Sequence, residues 1–544
     1  MNKLFTQLVE KRGLSEDYLH PNYDHLESPQ TLPDMAKAID RIKQAHKNHE
    51  KILIYGDYDV DGVTASTVME KTLLLAKFPP ENISIMLPDR FIDGYGMSHR
   101  LIERAKATQS TLVITVDCGS RNHAIVDELN HEHIDTIVTD HHECGDTLPA
   151  AVAVINPKRK DYQGPATLRD LAGVGVAFKL AQALVAEGLV PNGQEKWLLD
   201  LVLLGTICDS MPLTSENRTL TYFGLKVLEK TRRPGLIAIM KSAKTKIINS
   251  EAIGFQIGPR LNAAGRLDTA ELSLNLLRTR SGAKAANLAT KLEELNKARR
   301  HEQLAALDEI NNRGLVDGPV IIETGRWHEG ILGIIAGRLV EQHQKPAFVL
   351  TMTENDIYKG SGRSFGDFDL AKALEYAKDA IISGGGHSAA AGVKLNHQNL
   401  YEFREKINAY YDSLGLKNQA KYLKSTPDLT VSNLADFNFE LLEDLHSLEP
   451  FGPGNEEPLF CLQDIEAVDY RRMGAEKNHL RLDLRGQDGA VLKSIAFAVP
   501  KEWFDSADLA VNHDPTTSLR CLVRPILNEF QGVRSVEARL IDLR

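Results

Sequence analysis

Between residues 50 and 210, short β-branched runs alternate with amphipathic stretches long enough to form helices, and no other feature constrains the fold so tightly. This alternation is the pattern of βαβ units and predicts a largely parallel sheet. The runs are Lys51 to Tyr55, Ile83 to Leu87, Thr111 to Val116, Ile134 to Thr139 and Ala151 to Ile155. Three of them pass directly into acidic or histidine-bearing loops: GDYDVDG at 56–62, DCGS at 117–120 and DHHE at 140–143. Open parallel sheets collect ligands at the carboxyl ends of their strands, so the fold and a candidate site are predicted together.

Downstream the pattern turns helical, and Ala283 to Ile310, rich in Ala, Leu, Glu and Lys, predicts a helical connector over 216–315. A second α/β segment starts at Pro319 to Glu323 and is assigned to 316–425, with 426–544 left as short strands of a small β-barrel or sandwich. With an N-terminal extension at 1–34 and a parallel-sheet domain at 35–215, the expected class is α/β with a C-terminal β-module. A length of 544 residues suits about three to four domains. Five scattered cysteines, never in a CxxC pair, exclude a zinc cluster or disulfide framework and point to a reducing cytoplasm. Charges at Glu10, Lys11 and Arg12 interrupt the N-terminal apolar pattern, so no targeting segment is expected. No run of about 18 uncharged apolar residues predicts a membrane span.

The loop carrying Asp57, Asp59 and Asp61 places three carboxylates at alternate positions, which is costly unless a cation or basic group neutralises them. A calcium loop would need a bidentate Glu at its twelfth position, where Val68 stands, so a catalytic divalent-metal site is preferred to a calcium loop or a solvated acidic turn. Asp117 and Asp209 alone would read as helix caps or stops. Asp140-His141-His142 at a third strand end is a stronger signal. Together, carboxylates with one or two imidazoles suit a pair of Mn²⁺ or Mg²⁺ ions for phosphoryl hydrolysis, imidazole favouring Mn²⁺.

Two glycine-rich segments suggest phosphate binding. His387 lies in GGGHSAAAG (384–392), read as a turn opening a helix, where backbone N–H groups cradle anions. The loop KGSGRS (359–364) adds Lys359, Ser361 and Arg363. Arg90 is expected to touch a backbone phosphate and Tyr95 to stack a base. Trp327-His328-Glu329-Gly330 either lines the same cleft or caps a helix. Between 470 and 493, six basic residues against three acidic ones lie near Tyr470, Phe497 and Trp503, which suits single-strand binding by an OB-fold. The stretch 428–449 has six acidic residues and no Lys or Arg, and is expected to be a strut or protein contact.

GDYDVDGVTA (56–65), VDCG (116–119), DHH (140–142) and ICDSMPL (207–213) resemble, in order, the four motifs of the DHH phosphoesterase superfamily. GPRLNAAGRL (258–267), HEGILGIIAGRL (328–339), KGSGRS, GGGHSAAAG and EPFGPGNEEPLF (449–460) narrow the resemblance to its RecJ-type exonucleases. The resemblance implies a DHH domain, a DHH-associated domain and an OB-like domain, and a metal-dependent 5′→3′ exonuclease of single-stranded DNA in recombination and repair. It implies metal ligation by Asp59, Asp61, Asp117, His141 and Asp209, with Asp57, Asp140 and His142 as neighbours in the catalytic group. Arg260 or Arg266, with Ser361 and Arg363, would hold a 5′-terminal phosphate, and His387 would face the metals. Single-stranded DNA with a 5′ end is the implied partner, with single-strand-binding protein and a helicase as further candidates. An oligonucleotide or cyclic-dinucleotide phosphodiesterase is the alternative enzyme, disfavoured by the module at 428–544. An inactive scaffold is disfavoured by the intact ligand positions.

The net charge of −10 at first argues against nucleic acid. Much of that charge is concentrated in the acidic loops and in 428–449, leaving basic surfaces around 260–266, 359–363 and 470–493. Binding is therefore expected to be salt-sensitive, confined to a narrow channel and weak on duplex.

Overall fold

The computed structural model describes residues 1–94, 96–353, 355–416, 426–513 and 519–543. α1 (Lys3–Arg12) leads the chain. Each expected run of the first domain forms a strand: β1 (Ile52–Tyr55), β2 (Ile83–Met86), β3 (Leu112–Val116), β4 (Asp135–Thr139) and β5 (Ala153–Ile155). All pair in parallel in the order β2-β1-β3-β4-β5. β1 and β3 are buried along their whole length, as strands covered on both faces must be. Ile52 and Ile54 pack towards α2 (Val60–Leu75). Leu53 and Tyr55 point the other way, towards α3 (His99–Thr108) and α4 (His123–His131). The strand order places its switch point between β1 and β3, where consecutive connections leave on opposite faces and open a crevice. The remaining helices of this half include α5 (Gly173–Ala186), α6 (Leu199–Cys208), α7 (Gly258–Leu267) and the 32-residue α8 (Gly282–Arg313).

The next domain is a mixed sheet, β6 (Ile321–Gly325), β7 (Ala347–Met352), β8 (Ile357–Arg363), β9 (Ser383–Gly386) and β10 (Ala390–Asn396), with α9 (Leu332–His343) on it. Its order is β6-β7-β8-β10-β9. Two sequence expectations are corrected here. Lys359 to Arg363 is part of β8, not a loop: a Cβ at Gly360 would lie 2.0 Å from the Leu350 side chain, and one at Gly362 2.6 Å from the Phe348 ring. Glycine serves close sheet packing at those positions, and the period of two sends Lys359, Ser361 and Arg363 to the opposite face. His387 opens no helix. Its glycines form β9, paired antiparallel with β10, and His387 stands at the exposed hairpin tip, its N–H donating to the Ala390 carbonyl at 2.8 Å.

After β11 (Leu429–Val431) and α10 (Phe439–His446), the strands β12 (Phe460–Met473), β13 (His479–Arg485), β14 (Val491–Ala496), β15 (Leu519–Phe530) and β16 (Val533–Leu543) run β12-β13-β14-β16-β15. β15 pairs back to β12, which closes a five-stranded barrel of the OB type. α1 packs Leu4, Phe5 and Leu8 into the core of this domain. The acidic stretch is met by the start of the chain: Arg12 pairs with Asp428 at 2.6 Å, and the Asn2 N–H donates to Asp444 at 2.6 Å. Buried Arg218, from the helix Ser215–Glu229, donates to the carbonyls of Leu448, Ser447 and Tyr18 at 2.9, 3.1 and 2.8 Å, tying this domain to the first. Among the described residues, no helix is long and apolar enough to cross a membrane.

Candidate active site

The loop after β1 turns straight into α2, and Asp59 caps that helix by accepting from the Gly62 N–H at 3.0 Å. Asp61, in the first turn, is buried, and its two oxygens accept from the Gly173 and Val174 N–H groups at 2.6 and 2.9 Å. The positive end of α5 thus offsets part of its charge. Asp117 follows β3 with φ of 62°, a left-handed conformation that Asp tolerates better than most residues. A Cβ at Gly173 would lie 2.5 Å from the Asp117 carboxylate, and one at Gly205 2.5 Å from Asp61 Oδ1. Those two glycines let α5 and α6 approach the carboxylates. Asp209 ends α6.

His141 stands among these groups. Its Nε2 lies 3.1 Å from Asp117 Oδ1, 3.6 Å from Asp209 Oδ2 and 3.8 Å from Asp61 Oδ2. Among the described residues, three sets have ligand atoms within 4.8 Å of one another: Asp117, His141 and His142; Asp61, His141 and Asp209; Asp57, Asp59 and Asp117. Asp117 and His141 each belong to two.

Burial, followed by the charges of neighbouring aspartates, pushes Asp61 and Asp117 well above the usual carboxylate range. Burial and Asp59 raise Asp57 to about 8 and Asp209 to about 7. Burial, then the charge of His142, lowers His141 to about 3, so its ring is neutral and can donate a lone pair. Asp117 Oδ1 and His141 Nε2 are buried and make no hydrogen bond among the described residues. Such a set is crowded with carboxylates and has unpaired donor atoms, and a divalent cation offsets the first and occupies the second.

The sign of the pH effect follows. A carboxylate whose folded pKa is raised from 3.8 favours the metal-free fold below about 4, and that contribution is lost as pH rises through about 7 to 8. Cations must displace the retained protons, so Mn²⁺ should bind roughly tenfold or more tightly at pH 8 than at pH 6, with proton release at pH 6. Calorimetry in two buffers of different ionisation enthalpy measures this. An affinity independent of pH would contradict the raised carboxylates.

His142 Nδ1 lies 2.9 Å from Asp140 Oδ1. Asp140 also accepts from the N–H groups of His141, His142 and Ser120 at 2.8, 3.1 and 2.9 Å. Burial opposes ionisation of Asp140, but the His142 hydrogen bond and charge outweigh it and hold the carboxyl well below its usual range. For His142, burial likewise opposes the charge and the Asp140 contact prevails, raising its pKa. The adjacent histidines are thus shifted in opposite directions, His141 downward and His142 upward. Asn156, at the end of β5, donates to Ser120 Oγ at 2.8 Å and to the His142 carbonyl at 2.9 Å. Sequence reasoning missed it, although it stands at a strand end like the aspartates. His387 faces this side: burial, then the charges of His142 and Arg121, lowers its pKa.

A second cluster has the opposite sign. Arg266 is lowered to about 10 by burial and then by Arg90, Arg299 and Arg363, and Arg363 is lowered by burial and Arg90. Arg363 also approaches Ser361 Oγ at 3.4 Å. Among the described residues no ion pair joins Arg90, Arg266 or Arg363 to a carboxylate. A Cβ at Gly333 would lie 3.0 Å from both Arg363 Nη2 and Ser361 Oγ, and one at Gly330 1.9 Å from the Arg266 carbonyl. The HEGILG segment therefore contributes close packing, with Gly333 as a residue that sequence reasoning did not single out. Arg260 stands apart, engaged with Glu293 at 2.5 Å and the Gln256 carbonyl at 2.6 Å. Tyr95 lies outside the described residues.

The two clusters meet at Tyr58. Arg90 stacks over its ring at 5.1 Å, and a Cβ at Gly265 of α7 would lie 2.5 Å from its carbonyl. Asn262 of α7 accepts from the Val60 N–H at 3.2 Å. A groove of about 880 Å³ leads from Cys208 and Ser210, past Phe255, Arg266 and Arg299, to Arg524 and Arg539 of the barrel.

Three family models match the chain: the DHH family N-terminal domain over 51–206, the DHHA1 domain over 317–413 and the RecJ OB domain over 428–542. The single-stranded-DNA-specific exonuclease RecJ of Bacillus subtilis is 36% identical over 499 residues, covering 89% of this chain and 62% of that protein. This chain thus spans less than two thirds of that relative. The Haemophilus influenzae protein of the same name is 33% identical, covering 95% of this chain and 91% of its own. The crystal structure of RecJ in complex with Mn²⁺ from Thermus thermophilus matches with a TM-score of 0.82 at 26% identity, covering 100% of this chain and 76% of that one.

Proposed function

Because the chain belongs to the RecJ family of single-stranded-DNA-specific exonucleases, we propose that it hydrolyses single-stranded DNA from the 5′ end to mononucleotides. The observation that carries the reading is the meeting, at the Asp57–Asp61 loop, of a buried acidic cluster with a cluster of arginines that have no carboxylate partner among the described residues. One suits cations at a scissile phosphate. The other suits a terminal phosphate bound close by.

Asp59, Asp61, Asp117, His141 and Asp209 would hold two Mn²⁺ or Mg²⁺ ions, with Asp57 joining Asp59 and Asp117 in their group. When bound, such ions lower the pKa of water and stabilise charge on phosphate oxygens. Asp117 and His141, each belonging to two of these sets, would be central to holding the cations. His142, whose pKa the Asp140 contact raises, would donate a hydrogen bond to an oxygen of the scissile phosphate and steady its growing charge. Asp140 acts through His142, fixing its ring and proton.

Arg266, Arg363 and Ser361, with Arg90, would grip the 5′-phosphate in their fork of donors, which sets polarity because only a strand entering by that end fills both clusters. His387 would close over the reacting nucleotide from the second domain. The groove and the barrel would carry the following nucleotides. We place this activity in recombination and repair in the cytoplasm, where a helicase and single-strand-binding protein would present the strand.

The test is digestion of 5′-labelled and 3′-labelled single strands with Mn²⁺. Mononucleotide should be released first from the 5′ label, and circular single strands should stay intact. Earlier release from the 3′ label would overturn the polarity.

A further inference from the structure

Two buried helices connect the acidic cluster to a second cavity. α2 begins at the cluster and carries Glu70 and Lys71 about 15 Å further along, while α6 ends at Asp209 and begins beside Asp200, about 13 Å away. Asp200 and Lys71 line a cleft of about 520 Å³ built from the loops around 230–234 and 278–280.

The cleft is strongly cationic. Arg233 is held by Asp200 at 2.9 Å, and Arg278 and Lys71 share the single carboxylate of Glu70. Lys230, Arg232 and Arg280 also line it and have no side-chain hydrogen bond or ion pair among the described residues. In a chain of net charge −10, three uncommitted cations in one concavity are a local excess that attracts an anion. Trp197 forms one wall and is 54% exposed. An exposed indole face beside guanidinium forks combines a stacking platform for a base with donors for phosphate. The volume falls within the roughly 300–1,000 Å³ of small-molecule sites and is too small for a duplex.

We propose that this cleft is a nucleotide-binding site distinct from the acidic cluster, with the base on Trp197 and the phosphates on Lys230, Arg232 and Arg280. The nucleotide is either free or part of a strand crossing this face. None of these residues belongs to the metal or terminal-phosphate clusters, so the site stands whether or not the exonuclease reading does.

The test uses the full chain in EDTA, titrated with dTMP, dTTP, pyrophosphate and an oligothymidine while tryptophan fluorescence is followed. The chain has three tryptophans, so a Trp197→Leu variant identifies the reporter. Saturable quenching is expected, lost in Trp197→Leu and at least tenfold weaker in affinity in an Arg232→Ala, Arg280→Ala double variant. That variant should keep the wild-type melting temperature and cleavage of short strands, which shows that its fold is intact. Quenching by dTMP or dTTP identifies a free nucleotide as the ligand, and quenching by oligothymidine alone identifies a strand. Absence of saturable quenching, unchanged affinity in the double variant, or pyrophosphate binding as tightly as dTTP would each overturn the proposal.

Discussion

Asp117→Asn is expected to lower strand hydrolysis at least about 10³-fold, equivalent to about 4 kcal/mol of transition-state stabilisation. Asparagine is the informative replacement because it keeps the shape and tolerates the φ of 62° that alanine would resist. Stability should move in two opposite directions. Removing one of several crowded, buried aspartates relieves repulsion, so the metal-free variant should melt higher than the metal-free wild type. Saturating Mn²⁺ stabilises wild type by about 2.7 kcal/mol at a hundred times its Kd, and that gain should shrink in the variant. Thermal melts with Mn²⁺ and with EDTA, beside a single-turnover assay, measure all three. A variant that melts lower in EDTA and keeps the full Mn²⁺ gain would assign Asp117 to packing.

Arg363→Ala should lower kcat/KM about 10²-fold on 5′-phosphorylated strands and leave it nearly unchanged on strands ending in 5′-hydroxyl. Two charge-assisted hydrogen bonds of about 1.5 kcal/mol each account for that size. Lysine should not restore the preference, because a point charge cannot reproduce the planar fork beside Ser361. Folding should be little affected, since Arg363 is buried among like charges and forms no ion pair among the described residues. Arg260→Ala is the matched control, its guanidinium being held by Glu293 and the Gln256 carbonyl. Matched oligonucleotides differing only at the 5′ end read the effect. An equal fall on both substrates would remove Arg363 from phosphate recognition.

The parallel strands were legible because β-branched runs bounded by charged loops are a local property, and Asp57, Asp59, Asp61, Asp117, Asp140 and His141 were legible because strand ends project residues into a common crevice. Arg260 and Arg266 could not be separated in this way. They share α7 six residues apart, on different faces, and only the neighbours decide which face meets the cleft. The segment 384–392 was read as an anion-cradling turn and 359–364 as a phosphate-binding loop. Glycine signals freedom locally, but at Gly360 and Gly362 its meaning is the Leu350 and Phe348 side chains lying against it from another strand. The same holds for Gly173 and Gly205, whose missing side chains make room for Asp117 and Asp61.

Residue type and short-range periodicity were enough to read the order of the domains and to place acidic and histidine groups together at the strand ends. Only the tertiary structure shows the burial that lowers His141, the separation of groove-lining Arg266 from Arg260 held by Glu293, and the docking of the first residues on the acidic stretch of the last domain. Each of these depends on burial or on a partner far along the chain, which residue type and short-range periodicity do not specify.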